Sequence, residues 1–590
     1  MDRQSWIAIT LCVIALIALQ VYNAKHLPPP VQTTASPTPS ATPSVNASES
    51  PTATSAPEIS ATASPAASIP PFAEKFETLR NDDVELRLTN RGGGISEAVL
   101  LKHAVKGDQR VVLNSPHYTP IGAILDQPTA PDLAEYTFVR NPDESVALER
   151  VTPEGLTIHK RFFFPPTSDK KDNFVAEMDV DVRNGAEQPY TNPGYFVSLG
   201  STEPLHATDY PYYTRLVWCI EGSAKETNVT WFSAKNYPVV AVQMRAAQPV
   251  FQQKINGAEW AAMSNQFFTS IITPLHAKAV EMWGEPFDIK NDEGDRPIVR
   301  GMVGAMGMPG FQLQPGGTTT LRFQLYLGPK LYARLAKLEH NEAEIMNFGM
   351  WKLVSQFLLN FMNVIHGWVH DYGFSIIILT ACVKGVLWPL QNKANKSMRK
   401  MSALAPKMQE LKEKYKDDPT RMNQELMKLY KEHGVNPVGG CLPMMIQIPI
   451  FFGLFSMLGQ AAELRNATFL WVKDLSQPDI LFVIRGLGWI PFIGGPEGLR
   501  VNVLPLIMGA TNIWLMRMTP KTGDSTQQRV MMFMPVIFLI FCYNFAAALA
   551  LYYTTQNLFT ILQLYQNRKQ PVPVLEKVAL AGKKSRKGRP

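Results

Sequence analysis

Cysteine is scarce in this 590-residue chain, which has five: Cys12, Cys219, Cys382, Cys441 and Cys542. They are scattered and no C-x-x-C occurs, which excludes a disulfide scaffold and a cysteine zinc site and leaves each as a small buried hydrophobe. Charge is also low, at 18% of residues against about 25% in soluble domains. With 46% hydrophobic residues, that excludes a wholly disordered chain and a uniformly soluble enzyme. Catalytic signatures are missing: there is no G-x-x-x-x-G-K-[ST], H-E-x-x-H, G-x-S-x-G or G-x-G-x-x-G. The ten histidines do not cluster, so no cofactor and no metal is expected. Without a nucleotide site, work on a substrate must be driven by partitioning, by a partner or by the membrane potential. The apolar stretches hold no paired Asp and no Ser with His, which disfavours an intramembrane protease.

What is present divides unevenly along the chain. Residues 6–22 are almost all apolar behind Arg3. That suits a secretory signal or an uncleaved anchor, and the weak small-residue spacing around Val21 and Ala24 favours an anchor over 1–24. Residues 25–73 are rich in Pro, Ser, Thr and Ala, with too little apolar area to offset chain entropy, and read as a disordered tether. From 74 to 335 the pattern becomes short alternating runs: 84–89, 157–164, 174–182, 239–244 and 319–327. Many short strands separated by turn residues predict an all-β sandwich rather than βαβ units. Residues 336–369 are expected to form a connecting amphipathic helix.

Apolar density then rises. Runs at 371–390, 441–464 and 503–518 each approach a membrane span, and 530–564 is too long for one, since roughly 20 residues cross the bilayer core. Splitting it near Asn544 predicts five helices over 370–566, or six spans with the anchor. Between the second and third spans, 391–432 carries eleven Lys/Arg against six Asp/Glu, and the tail after Asn567 carries eight against one. The positive-inside rule makes both cytoplasmic, with both termini inside and the β domain outside. Met398, Met401, Met408, Leu411 and Tyr415 share a helical face. Asp417-Asp418-Pro419 interrupts, and Met422, Leu426, Leu429 and Tyr430 resume it. This predicts an antiparallel helical hairpin over 391–433 whose Met-rich stripe packs on itself or meets apolar partners.

Lys384 is the most informative single residue, lying inside Thr380-Ala-Cys-Val-Lys-Gly-Val-Leu-Trp-Pro389. An ionised side chain in hydrocarbon costs at least a few kcal/mol, so such charges face a wet cavity and mark function. The alternative is snorkelling, because Leu390 is only about 9 Å of helix rise away. No acidic residue falls mid-span to pair with it, so a hydrated pocket that attracts acidic client segments is expected. Gln447, Thr511, Asn512, Gln556 and Asn557 are polar candidates for its lining, each with an interhelical hydrogen bond as the plain alternative. Ile448, Phe451, Tyr552 and Tyr553 offer an apolar wall.

Several strings resemble the YidC family of bacterial membrane protein insertases. Asn436-Pro-Val-Gly-Gly-Cys-Leu-Pro-Met-Met-Ile-Gln-Ile-Pro-Ile-Phe451 is similar to the family's third span. Phe533-Met-Pro-Val-Ile-Phe538, Leu551-Tyr-Tyr553 and Lys431-Glu-His-Gly-Val-Asn-Pro437 also resemble it, as does 375–390 with its basic residue before Gly. Trp260-Ala-Ala-Met263, Gln266-Phe267-Phe268 and Leu325-Tyr-Leu-Gly-Pro329 resemble the large periplasmic domain of the Gram-negative branch. The resemblance implies a periplasmic β-supersandwich, a five-helix insertase core in the inner membrane, and a positively charged groove open to cytoplasm and lipid. It implies substrate contacts at Thr380, Ile448, Phe451 and Tyr553, with Lys384 as the groove charge, and a working partnership with the Sec translocon. Nascent membrane proteins are the expected clients. The basic tail and hairpin suit ribosomes or anionic lipid.

Two departures stand out. The best-known members have Arg where this chain has Lys384, which replaces a fixed fork of donors with a compact charge. The family's Pro- or Gly-containing turn between the last two spans reads Tyr543-Asn-Phe-Ala-Ala-Ala-Leu549 here, and the loop 479–500 is long and Gly-rich. A small-solute transporter or channel is the rival reading. It requires a repeat between halves and a midplane site, and no repeat is visible. A sugar-binding or enzymatic sandwich on a passive anchor would not need five further spans.

Overall fold

The structure, a computed structural model, describes residues 72–568 apart from 131, 142, 167–172, 207–208, 237–242, 290–298, 436–441, 488–493, 496–497 and 520–524. The expected anchor (1–24), the tether as far as 71, the tail from 569 and most of the strand expected at 239–244 lie outside the described residues.

Alternation of side chains builds the β domain. In strand Val84–Thr89, Val84, Leu86 and Leu88 are buried while Arg87 faces solvent, as the period of two requires. Gly92 and Gly93 turn the chain into Gly94–Lys106 with φ of 73° and 58°, a region that favours glycine. Space excludes a side chain there as well, because a Cβ at Gly93 would meet the Tyr136 ring at 2.8 Å. Residues 76–113 form a four-stranded antiparallel meander. Two larger antiparallel sheets follow. The five-stranded one runs Phe251–Ala258, Ala279–Ile289, Val299–Leu313, Tyr190–Thr202, Ile124–Leu125. The nine-stranded one runs from Ser223–Asn228 at one edge to Thr137–Arg140 at the other, with Thr318–Pro329 central. Leu216, Trp260, Met263, Met302, Met306 and Leu325 belong to the core between them. This is the expected β-sandwich.

Two lysines are buried within it. Lys160 Nζ donates to the carbonyl oxygens of Gly93 (2.8 Å), Gly122 (3.1 Å) and Gly92 (3.3 Å), so its three protons meet three acceptors. Lys330 Nζ is sealed with no hydrogen-bond partner among the described residues and lies 5.6 Å from the Tyr213 ring centre.

The helices are α1 (Lys352–Val369), α2 (Tyr372–Ala403), α3 (Ala405–Lys414), α4 (Pro419–Glu432), α5 (Leu442–Leu458), α6 (Val503–Met518), α7 (Ser525–Cys542) and α8 (Ala547–Arg568). The apolar run 530–564 does divide at Asn544. The turn needs neither Gly nor Pro, because neighbouring backbone takes up the first orphan N–H groups of α8: Ala547 N donates to Gln477 O (2.8 Å) and Ala548 N to Leu475 O (3.0 Å). The hairpin forms from α3 and α4, with Asp418 capping α4 through Arg421 N (3.0 Å). Its stripe packs on itself: Leu404, Met408, Leu426 and Val435 are buried together against Met401, Leu411 and Tyr430. Met398 and Met401 lie on the end of α2, which runs further than expected.

The count of six spans is not confirmed. Among the described residues one helix, Tyr372–Ala403, is long and apolar enough to cross a membrane alone, and Met445–Leu458, Val503–Met518 and Met532–Cys542 are shorter apolar helices. The last helix falls short because Thr554, Thr555, Gln556, Asn557 and Gln563 interrupt its apolar run.

Candidate functional site

Thr380 and Lys384 lie one turn apart on α2 and therefore share a face. Thr380 is buried and its hydroxyl donates to Ile376 O (2.6 Å). Lys384 is 7% exposed. Among the described residues it has neither hydrogen bond nor ion pair, yet its Nζ is not one of the sealed polar atoms. In this it differs from Lys330. Beyond Lys384 the helix opens: no residue of α2 is buried again until Ala394. Its ammonium thus sits at the edge of a buried face, not fully enclosed, with no counter-ion among the described residues.

Opposite α2 runs α8, whose polar residues form a seam shared with three neighbouring helices. Gln447 Nε2 of α5 donates to Gln556 Oε1 (3.0 Å) and to Tyr552 Oη (3.4 Å). Asn557 Nδ2 donates to Thr511 Oγ1 of α6 (3.2 Å). Further along, Gln563 Nε2 donates to Asn392 Oδ1 (2.8 Å) and Trp388 O (3.2 Å), and Asn567 Nδ2 reaches the same Asn392 oxygen (3.1 Å). Of the polar candidates, Gln447, Gln556, Asn557 and Thr511 are thus joined in pairs. Asn512 is half-buried and carries no hydrogen bond among the described residues.

The aromatic wall is a cluster. The Phe451 and Tyr553 rings meet edge to face at 5.4 Å, and Phe538 of α7 completes a triangle at 6.0 Å from Phe451 and 5.2 Å from Tyr553. Ile448 stands apart from them, 44% exposed on the outer side of α5. Phe538 and the Asn392–Gln563–Asn567 group were missed in the sequence. The spacing of Gln556, Gln563 and Asn567, seven and four residues, was the available signal, since it returns to one face of a helix.

One of the strings noted in the sandwich, Gln266-Phe267-Phe268, lies where it meets the helices. Gln266 Nε2 donates to Gly459 O just beyond α5 (3.0 Å). Arg465 Nη1 donates to Ala104 O (2.6 Å) with its guanidinium 5.4 Å from the Phe268 ring centre. Arg215 donates to Gln460 Oε1 (2.8 Å) and Ile345 O (2.9 Å). The guanidinium and amide contacts tie two folds that differ in every other respect.

Two family models match, the YidC periplasmic domain over residues 77–361 and the 60Kd inner membrane protein over 364–572. Curated relatives bear the name membrane protein insertase YidC. One from Syntrophobacter fumaroxidans is 38% identical over 52% of this chain, and the match spans about half (53%) of that relative's length. One from Geobacter sulfurreducens is 30% identical over 96% of this chain and 98% of its own length. Among solved structures, an active YidC insertase with the first transmembrane domain resolved covers 85% of this chain at 18% identity, with a TM-score of 0.33. A putative aldose 1-epimerase from Escherichia coli K12 covers 43% of this chain at 13% identity, with a TM-score of 0.27. The relatives are named for insertion and not for an enzymatic reaction. With relatives matching at 30% identity or more, one of them from end to end, this chain belongs to the YidC family of membrane protein insertases.

Proposed function

We propose that this chain moves client transmembrane segments from a hydrated, positively charged groove into the bilayer. The observation that carries the reading is Lys384, buried, unpaired among the described residues and unsealed. Exposing polar backbone to lipid costs several kcal/mol per unsatisfied group. A wet recess reached from the hairpin end of α2 shortens the hydrocarbon path that such backbone must cross. Lys384 holds acidic residues of the client briefly by Coulomb attraction, which the low dielectric of the recess strengthens. Thr380 and the polar seam of Gln447, Gln556, Asn557 and Thr511 keep the recess wet, with Asn512 beside them. The apolar part of the client passes Ile448, Phe451 and Tyr553 into lipid, driven by apolar burial. No bond is made or broken, so no cofactor is required.

In this reading the sandwich is periplasmic, both termini and the hairpin are cytoplasmic, and nascent membrane proteins are the clients. The basic hairpin and tail meet anionic lipid or ribosomes, and the chain works alone or with the Sec translocon. A reconstituted insertion assay tests the groove. Lys384→Arg retains insertion, and Lys384→Glu loses roughly tenfold or more for clients with acidic translocated segments, equivalent to about 1.4 kcal/mol. Equal activity of Lys384→Glu removes the electrostatic role. Photocrosslinkers at Thr380, Ile448 and Tyr553 capture stalled nascent chains, and a blank at all three removes the path.

A further inference from the structure

The loop between α5 and α6 contains a small sheet that the groove reading does not use. Strand Ile480–Ile484 pairs antiparallel with Gly498–Asn502, which also pairs with Gly494–Gly495. The first strand is apolar throughout, Ile-Leu-Phe-Val-Ile, and successive side chains of a strand point to opposite faces. Leu481 is 57% and Phe482 51% exposed, with Ile480 and Ile484 exposed as well. A register shift between Ile480 and Phe482 interrupts that alternation, and four of the strand's five apolar residues are exposed. A three-stranded ribbon with no core beneath it among the described residues has no reason to keep such residues in water.

The base of the ribbon is held rigidly at the sandwich-side ends of the apolar helices. Asp479 Oδ2 accepts from Leu504 N at the start of α6 (2.7 Å) and from Trp471 Nε1 (3.4 Å). Tyr543, just past α7, donates through its hydroxyl to Arg500 O (2.7 Å) and accepts at its carbonyl from Asn502 Nδ2 (2.7 Å). The third strand runs without a break into α6, whose Leu506, Ile513 and Trp514 are exposed, as are Ile537 and Phe541 of α7. The apolar surface of the ribbon thus continues the outward-facing apolar band of the membrane helices. Trp471 and Leu470 are exposed beside it, and the cations Lys473 and Arg485 are exposed on the same loop. Tryptophan with neighbouring Lys and Arg is the side-chain set of the headgroup boundary.

We propose that the ribbon 480–484/498–502 lies in the lipid headgroup–acyl boundary of the leaflet on the sandwich side, with Leu481 and Phe482 in the acyl region. It holds the α6 and α7–α8 ends at a set depth. The occupant is lipid; a second copy of the chain or a partner protein are outcomes of the test. The inference rests on membership in a membrane protein family and not on the groove.

The full chain, with native cysteines replaced and a spin label at Leu481→Cys or Phe482→Cys, is placed in phosphatidylethanolamine–phosphatidylglycerol vesicles. The labels relax with dissolved oxygen and are shielded from an aqueous nickel chelate, as a label at Ile537→Cys is, while a label at Val151→Cys shows the reverse. Access of the chelate at 481 and 482 overturns the proposal, and so does shielding from both reagents, which would mean a protein cover. The unmodified chain supplies a second readout. A phospholipid with a photoreactive acyl chain labels the peptide containing 480–484 along with α7. Labelling of α7 with none at 480–484 overturns the proposal without any variant having to fold.

Discussion

Three lysines among the described residues are buried, and their surroundings give each a different fate. Lys160 is a structural clamp: its ammonium closes three backbone carbonyls at the Gly92–Gly93 turn and at Gly122. Replacing it by methionine keeps the length but leaves these acceptors bare, at about 1–3 kcal/mol for each one left unsatisfied. Lys160→Met therefore lowers the sandwich's stability by roughly 3 kcal/mol or more, read by denaturant unfolding followed through sandwich tryptophan fluorescence. Lys330 is sealed against aromatic packing. Lys384 alone of the three combines burial with an unpaired, unsealed ammonium. Its interest was legible in the sequence because a lysine inside an apolar run has few explanations. Lys160 was not legible, since a lysine in an alternating strand reads as solvated until the opposite sheet is placed over it, and neither was Lys330, just past the strand that ends at Pro329.

At the level of elements, boundaries followed local chemistry where a breaker or cap was present. Asp418-Pro419 starts α4 as Asp N-caps and a Pro in the first turn do. Asp418→Ala removes the cap and costs about 1 kcal/mol, seen as faster amide hydrogen exchange confined to α3 and α4. The α2 boundary was less legible. Its helix passes through Pro389 and on to Ala403, because tertiary contacts such as Gln563 with Asn392 hold the far half in register. The α7–α8 turn lacks the expected breaker and is made by carbonyls of residues 475 and 477, which are seventy residues distant in sequence. Within the loop 479–500, without a role in the sequence, residues 480–484, 494–495 and 498–502 form a paired ribbon.

For the whole molecule, the sandwich and the helices are joined by a continuous apolar cluster together with arginine and amide contacts, and one nearby group makes the junction sensitive to acid. His103 packs edge to face on Phe268 at 5.4 Å. Burial, then the charges of Arg465 and Arg334, push its pKa down from 6.5 to about 4. The folded state thus holds fewer protons than the unfolded one between these values. The stability linked to neutral His103 is complete above about pH 6.5 and is lost as pH falls towards 4. Thermal unfolding of the sandwich over that range follows the slope, and His103→Leu flattens it. A profile as steep in the variant would assign the acid response to other groups.

The amino-acid sequence by itself determined the two kinds of fold, because a period of two and long apolar runs each have one way to bury their apolar faces. It also determined Lys384 as the anomaly, since the cost of a charge in hydrocarbon depends on residue type and setting alone. Only the tertiary structure decided that Gln447, Gln556, Asn557 and Thr511 pair across three helices, that Phe451 and Tyr553 touch while Ile448 does not, and that Phe538 joins them. Those facts depend on the rotation of each helix about its axis, which packing sets and local sequence does not.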